Sequence, residues 1–383
     1  MASGARAVTF GLPRMHKEAG ERRDFLPDLV GFLADHGCEV FVEHGIGSGM
    51  GLDDHAYAST SPRVHLVDNA TAFAQSHVLA LRFPELDELA KLRRGATLIS
   101  MAHFATRPQR IRRLLGRGLD AIGLDSITDD AGYRLVENMR SVAWNGVEAA
   151  FDALQATAPE VFLAGRPMRA TVMGVGQVGK HAVEAATKYG NADLAQRLAE
   201  QGAPGVEVTV IGRASTANAA YMRERLRVTD LLIDATQRGD PTTPLVPNAW
   251  LAELPAHAVI CDLVVDPYIL TVEPRTVRSI EGIPQGDLDQ FVFEPDDPRW
   301  SATVPASVPS MHRRVSVTCY SWPGVHPRPC MEHYGRQLRP LLSALLRRGG
   351  ARGFGRDGGH HDRALGRASL ATWARLAATA DEE

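Results

Sequence analysis

The sequence predicts an α/β protein with two Rossmann-like domains on parallel sheets, joined by long helices. Strand-length and helix-length segments alternate through the N-terminal region. In mid-chain a β-branched strand runs into Gly174-x-Gly176-x-x-Gly179 and a helix, and a long helical pattern separates the two regions. We therefore expect residues 1–140 to form a first domain, completed by residues 323–383, and residues 141–322 to form a second.

The first region contains repeated βα units. Its predicted strands cover residues 7–12, 39–43, 77–81, 96–101 and 120–124, and its predicted helices cover residues 24–36, 86–94 and 107–116. Units of this length imply a mostly parallel sheet covered by helices on both faces.

The second region opens with a helical pattern over residues 137–158, which carries one apolar face and is long enough to link two domains. Further strands are predicted at residues 206–211, 231–234 and 258–263, and further helices at 180–189, 334–347 and 364–379. Residues 191–205 form an insertion. After Asp287 the chain reads as irregular and proline-rich, and residues 348–363 read as a flexible Gly-, Arg- and His-rich segment.

The mid-chain glycine motif predicts a nucleotide-binding turn because it lies between a strand and a helix. Gly174 permits the tight turn, Gly176 lets the backbone approach a pyrophosphate, and Gly179 allows close strand–helix packing. Gln177 and Val178 complete the motif at the helix N-terminus, which faces the phosphate charge. A second glycine-rich loop, residues 45–51, lacks this context, and we expect it to be structural.

The strand at residues 206–211 bears on the choice of dinucleotide. It ends in Gly212-Arg213-Ala-Ser215-Thr216, without the Asp or Glu that binds both ribose hydroxyls in NAD sites. A guanidinium followed by hydroxyls suits a 2′-phosphate, so NADP is favoured over NAD. Ala235 and Thr236 follow a later strand at the place where such folds approach the ribose, although Asp234-Ala-Thr236 equally fits a simple strand end.

The composition and net charge indicate which classes of binding partner to expect. Hydrophobic residues make up 44% and charged residues 23% of the 383 residues, and the net charge of −3 gives no reason to expect nucleic acid or a membrane surface. The longest apolar runs have strand length, and no basic region followed by an apolar run opens the chain. The four cysteines are too widely spaced for a zinc site or a disulfide framework. We expect a cytoplasmic protein that binds a small-molecule substrate and holds no metal. The composition leaves open whether the chain forms a homo-oligomer.

Several short motifs follow one another in the order found in a known enzyme family. They are Gly11-Leu-Pro13, Glu21-Arg22-Arg23, Gly45-x-Gly47-x-Gly49, Leu81-Arg82-Phe-Pro84, Met101-Ala-His103-Phe-Ala105, the central glycine motif, Val259-Ile-Cys-Asp262-Leu-Val-Val-Asp266 and Trp322-Pro-Gly324-Val-His-Pro327. Over residues 7–345 the chain resembles the alanine dehydrogenase, pyridine nucleotide transhydrogenase and lysine-forming saccharopine dehydrogenase family.

The resemblance implies a reversible NAD(P)-linked oxidation of an amine carbon to an imine, in a cleft between a substrate-binding first domain and a dinucleotide-binding second domain. Arg22 matches the arginine that holds the substrate carboxylate, although adjacent charges are often solvated. His103 matches the acid–base histidine. Asp266 matches the aspartate near the nicotinamide, and its place before Pro267 also fits a turn.

One position departs from the family. The family's substrate-binding or proton-transferring lysine aligns with Arg82, which stays charged and suits a carboxylate better than a proton transfer. Simple alanine oxidation is therefore disfavoured. Trp322 either binds substrate or packs a hinge, and its segment resembles the saccharopine end of the family.

The sequence thus predicts an NAD(P)-dependent amino-acid or secondary-amine dehydrogenase. One alternative is a saccharopine- or opine-type reductase that joins an amine to a keto acid. The other is an inactive nucleotide-binding regulator, favoured by the loss of the lysine at Arg82.

Overall fold

The computed structural model describes the chain in five stretches, residues 8–15, 19–271, 275–350, 353–354 and 358–380. The chain divides into two compact units. Unit 1 comprises the residues up to 138 and from 327 onward, apart from 18–20, which belong with residues 139–326 in unit 2. Ala7, the first residue of the first predicted strand, lies outside the described stretches.

Twelve strands and fourteen α-helices lie in these stretches. The strands are β1 (Thr9–Leu12), β2 (Glu39–Glu43), β3 (Val64–Val67), β4 (His77–Arg82), β5 (Thr97–Met101), β6 (Asp120–Gly123), β7 (Met168–Met173), β8 (Val206–Ile211), β9 (Leu231–Asp234), β10 (Val259–Asp262), β11 (Val292–Phe293) and β12 (Val315–Thr318). The helices are α1 (Pro27–Asp35), α2 (Asp54–Ala58), α3 (Asn69–Phe73), α4 (Leu86–Lys91), α5 (Gln109–Gly116), α6 (Met139–Thr157), α7 (Gln177–Ala186), α8 (Ala192–Glu200), α9 (Arg213–Thr216), α10 (Ala219–Leu226), α11 (Pro298–Thr303), α12 (Pro327–Arg347), α13 (His360–Ala368) and α14 (Leu370–Ala380).

Unit 1 is built on a six-stranded sheet in the order β3-β2-β1-β4-β5-β6. Every pair of neighbouring strands is parallel. The strand order reverses between β1 and β4, and in open α/β sheets ligands bind outside the carboxyl ends of the strands at such a reversal. The side chains that follow β1 and β4 are therefore placed at the position where this fold binds ligands.

Unit 2 carries a second six-stranded sheet, in the order β11-β12-β10-β9-β7-β8. Only the edge strand β11 runs antiparallel to its neighbour. All residues of β9 and β10 are buried, as expected for strands covered on both faces. The order reverses at β7, which runs into the central glycine motif.

These two parallel sheets confirm the predicted fold class. Several elements were not predicted from the sequence. They are β3, α2 and α3 in unit 1, α8 within the insertion at residues 191–205, α9 and α10 after β8, β11, β12 and α11 after Asp287, and the start of α13 within residues 348–363. The strand β12 escaped prediction because two of its four residues, Ser316 and Thr318, are polar although all four are buried.

Among the described residues, no helix combines the length and the apolar character needed to cross a membrane.

Candidate functional site

Two predicted site residues lie on neighbouring strands at the carboxyl edge of the unit 1 sheet. Arg82 is the last residue of β4, and its register partner on β5 is Met101. His103 follows two residues later. The parallel register therefore brings Arg82 and His103 to the same edge of the sheet, beside the point where the strand order reverses.

The backbone of His103 is in the left-handed region, with φ of +50°. This conformation costs a residue with a side chain roughly 1–3 kcal/mol, so it needs contacts that hold it. The backbone N–H of His103 donates to Asp125 Oδ1 at 2.9 Å, and its carbonyl oxygen accepts from the N–H groups of Thr106 and Arg107 at 3.2 and 2.8 Å. The ring Nδ1 lies 3.6 Å from Asp125 Oδ2, with the side chain 45% exposed.

The surroundings of His103 favour its neutral form. Partial burial lowers the pKa of the ring below the ordinary 6.5, the carboxylate of Asp125 opposes this, and the charges of Arg107, Arg110 and Arg134 lower the pKa further. A neutral imidazole at pH 7 is ready to accept a proton.

A buried ion pair lies close to Arg82. Glu21 binds Arg23 through both of its oxygens, with Nε–Oε1 and Nη2–Oε2 distances of 2.9 and 2.6 Å. Burial raises the pKa of Glu21, but the hydrogen bond and charge of Arg23 outweigh it and hold the pKa below its usual value. Arg82 Nη2 is 4.0 Å from Glu21 Oε2. The predicted carboxylate ligand Arg22 is exposed, and its backbone N–H donates to Glu21 Oε1 at 3.0 Å.

The glycine-rich loop at residues 45–51 packs against the segment that carries Arg22, in keeping with the structural role that the sequence predicts for it. A Cβ on Gly49 would lie 2.8 Å from Cα of Arg22, so only glycine lets the loop pass this close. Asp24 is fully buried and accepts hydrogen bonds from the backbone N–H groups of Met15 and Gly47. These contacts tie the loop after β1 and the glycine-rich loop to the segment that carries Arg22.

In unit 2 the three glycines of the central motif have different surroundings. A Cβ on Gly174, whose φ is +110°, would lie 2.3 Å from the carbonyl oxygen of Ala235, and a Cβ on Gly179 would lie 2.1 Å from that of Gly174. A Cβ on Gly176 would meet no atom within 4 Å. Gly174 and Gly179 are thus required by packing. Gly176 borders open space at the N-terminus of α7, where Gln177 is exposed and Val178 packs against the core.

The predicted 2′-phosphate ligands follow the next strand. Gly212 ends the turn after β8, and Arg213 begins α9 with an exposed side chain whose Nη2 is 3.4 Å from the carbonyl oxygen of Gln237. Ser215 is half-buried. Thr216 is buried and its hydroxyl donates to the carbonyl oxygen of Arg213 at 2.9 Å, so Thr216 shapes the turn that presents Arg213.

In the same sheet, β9 and β10 end in two buried carboxyl groups, Asp234 and Asp262, which are register partners. Asp262 is ion-paired to the buried Arg278. Burial, together with the charge of Asp262, raises the pKa of Asp234 to about 7. Asp234 Oδ1 accepts from the backbone N–H and the hydroxyl of Thr236 at 3.0 and 2.7 Å, which fixes the Ala235–Thr236 turn next to Gly174.

The remaining two predicted residues are held differently. Asp266 is ion-paired to Arg238, and its carboxylate is 31% exposed. Trp322 is 1% exposed, and its Nε1–H donates to the carbonyl oxygen of Asp262 at 2.8 Å. The ring packs in the unit 2 core, as the alternative packing role expected, and its contact with substrate stays a prediction.

The sequence assigned no role to Asp125, Glu21, Arg23 or Arg278. Asp125 had a signal, because it follows a predicted strand next to the one that precedes His103. Arg278 had none, since nothing in the sequence distinguishes a buried arginine from a solvated one. Within the described residues no cluster of three or more His, Cys, Asp and Glu side chains is arranged to hold a metal ion.

Comparisons with a protein family and with individual proteins both find similarity to the family that the motifs predicted. Residues 11–143 match the family described as alanine dehydrogenase/PNT, N-terminal domain. The alanine dehydrogenase of Bacillus subtilis (strain 168) is 25% identical over 275 residues, which cover 68% of this chain and 71% of that protein. The NAD(P) transhydrogenase subunit alpha of Cereibacter sphaeroides is 28% identical over 217 residues, covering 51% of this chain but 39% of that subunit.

Two solved structures share the fold. An L-alanine dehydrogenase aligns with a TM-score of 0.68 at 20% identity, over 94% of each chain. A transhydrogenase from Sinorhizobium meliloti aligns with a TM-score of 0.62 at 20% identity, over 88% of this chain and 94% of that one. At this identity the likeness establishes the architecture alone.

Proposed function

Because this chain belongs to the alanine dehydrogenase/pyridine nucleotide transhydrogenase family, as its motifs predicted, we propose that it is an NAD(P)-dependent amino-acid or secondary-amine dehydrogenase. The observation that carries the proposal is His103, a largely neutral histidine at the ligand-binding edge of the domain that matches the family. Beside it Arg82 provides a fixed cation on the neighbouring strand. This combination suits a substrate that carries both an amine to be deprotonated and a carboxylate.

In the proposed reaction the substrate α-carbon is oxidised to an imine. His103 accepts the proton that the amine loses, through its exposed ring. Arg22 and Arg82 bind carboxylate oxygens, a task for which a guanidinium fork is well shaped. A guanidinium is suited to binding carboxylates and not to transferring protons, so proton transfer rests on His103. Asp266, held by Arg238, would orient the nicotinamide side of the site.

The residues of unit 2 fit a dinucleotide. The open space at Gly176 and the N-terminus of α7 are suited to a pyrophosphate, and Gly212 and Ala235 border the same strand ends. When bound, the nicotinamide takes the hydride from the substrate or returns it. The exposed Arg213, followed by Ser215, favours a 2′-phosphate and therefore NADP. Asp234 is buried and accepts a hydrogen bond from Thr236, so Thr236 is the polar side chain that the turn after β9 offers to a ribose.

Alanine substitutions at Gly174 and Gly176 should separate folding from binding. Gly174→Ala is expected to destabilise unit 2 by about 2 kcal/mol or more, because its Cβ would overlap the Ala235 carbonyl at a positive φ. Gly176→Ala is expected to change stability by less than about 0.5 kcal/mol and to weaken dinucleotide binding. Urea unfolding followed by tryptophan fluorescence and titration with NADPH measure the two effects. Equal behaviour of the two variants would contradict the assignment of Gly176 to the pyrophosphate.

The reaction itself is tested with a panel of amino acids and keto acids, each with NAD, NADP and their reduced forms, following nicotinamide absorbance. We expect reductive amination of a keto acid with ammonia or an amine, faster with NADPH than with NADH. A clear preference for NADH would reject the role of Arg213. No turnover with any pair, while dinucleotide still binds, would support the inactive regulator instead.

A second candidate is a reductase of the saccharopine or opine type. The replacement of the family lysine by Arg82 favours it, because Arg22 and Arg82 would then offer two guanidinium groups for the two carboxylates of one conjugate. In the same panel, lysine with 2-oxoglutarate and other amine–keto acid pairs distinguish it from simple deamination.

A further inference from the structure

Asp125 makes two contacts with His103 that no other described side chain makes. Its Oδ1 accepts the His103 backbone N–H at 2.9 Å, and its Oδ2 lies 3.6 Å from the ring Nδ1. Among the described residues its one further hydrogen bond is a long one of 3.5 Å from the hydroxyl of Ser126. The side chain is only 9% exposed, so water competes little for either oxygen.

The placement of Asp125 follows from the sheet. The strands β5 and β6 are parallel neighbours, with Ser100 opposite Gly123, so their carboxyl ends lie side by side. His103 lies two residues after the end of β5 and has a left-handed backbone, and Asp125 lies in the turn that follows β6. One carboxylate therefore meets both the backbone and the ring of a strained residue.

We propose that Asp125 is a positioning residue for His103: one oxygen holds the left-handed backbone, and the other keeps the ring proton on Nδ1 and the lone pair on Nε2. A separation of 3.6 Å exceeds a hydrogen bond, so the second effect is electrostatic. The tautomer of a functional histidine is commonly set by the group that faces its other nitrogen. The inference rests on the proposed function for the role of His103, but the contacts themselves do not.

The other charged groups around His103 act in the opposite sense. Arg107, Arg110 and Arg134 disfavour the protonated ring, and Asp125 is the group that favours it. Arg110 is also occupied, because its Nη1 donates to the carbonyl oxygen of Ala102 at 3.0 Å and its guanidinium lies over the ring of Phe83. Neutralising Asp125 would leave three cations without an opposing carboxylate at the ring.

The test is Asp125→Asn, which keeps an oxygen for the backbone N–H and removes the charge. The ¹⁵N and ¹H resonances of the His103 ring, assigned by their loss in His103→Asn, are followed against pH in the full chain. We expect the titration midpoint of His103 to move to lower pH and the neutral ring to shift from the Nδ1–H toward the Nε2–H tautomer. If Asp125 positions the base, kcat should fall by about tenfold to a hundredfold, with KM changing less.

Asp129→Asn is the matched control, because Asp129 lies in the same loop and accepts the backbone N–H groups of Ala131 and Tyr133 without contacting His103. It should leave the His103 titration and kcat unchanged. An unchanged midpoint and tautomer in Asp125→Asn would overturn the inference. Because the titration needs no turnover, a shifted ring signal in Asp125→Asn, together with no turnover by the unsubstituted chain, would support the positioning role while rejecting the proposed function. A fall in kcat with an unchanged ring signal would show that Asp125 has a structural role alone.

Discussion

Replacing His103 by asparagine is expected to lower kcat by about a hundredfold to ten-thousandfold, the usual contribution of a general acid or base. Asparagine removes the titrating ring and tolerates the left-handed backbone better than most residues, so the turn that follows β5 should survive. Its backbone N–H still reaches Asp125. The loss is measured as turnover with the best substrate pair found in the panel, with unfolding by urea as the check on folding.

The dependence of the oxidation rate on pH is an independent test of the role of His103. Oxidation needs neutral His103, so its rate should rise through the pKa of the ring, which partial burial and the three arginines hold below 6.5. The acid limb should therefore lie below pH 6.5 in the wild type and vanish in His103→Asn. His44→Gln is the control, since His44 is also exposed and faces an aspartate, Asp54, at an Nδ1–Oδ2 distance of 2.8 Å. If His103→Asn retained full turnover, the catalytic assignment would be wrong.

The sequence predicted the architecture because its signals are local. Alternating βα segments specify parallel sheets, and a strand followed by Gly174-x-Gly176-x-x-Gly179 and a helix specifies the turn at the start of unit 2. The two strands after Asp287 depended on packing instead. In β12 the polar Ser316 and Thr318 are buried because β10 and β11 flank them, and no periodicity of that strand records its neighbours.

The candidate site was predictable where a motif contained the residue and unpredictable where partners came from distant strands. His103 and Arg82 came from motifs, and the register of β4 with β5 explains why they share an edge. The choice of Arg22 over Arg23 could not be made from adjacent charges; Arg23 is the buried partner of Glu21, and Arg22 is the exposed one. The roles of Arg22 and Arg82 as substrate ligands stay predictions.

Replacing Arg278 by methionine is expected to destabilise unit 2 by about 3–5 kcal/mol, because it leaves the buried carboxylate of Asp262 without its counter-charge beside Asp234. Methionine fills a similar volume, so the effect is mainly electrostatic. Adding Asp262→Asn to Arg278→Met should recover much of the loss. Urea unfolding followed by tryptophan fluorescence reports on this unit, since four of the five tryptophans lie within residues 139–326.

Arg299→Met is the matched control: Arg299 also pairs with an aspartate of unit 2, Asp287, at 2.9 Å, but it is 40% exposed and should contribute at most about 1 kcal/mol to stability.

Asp234 adds a dependence of stability on pH whose sign follows from its pKa. Its folded pKa of about 7 exceeds the ordinary 3.8, so between these values the folded chain keeps a proton that the unfolded chain releases. The stability of unit 2 should therefore fall as pH rises from about 4 to about 7, and Asp234→Asn should remove that fall. If Arg278→Met proved no more destabilising than Arg299→Met, the buried carboxyl groups would not depend on Arg278 for their stability.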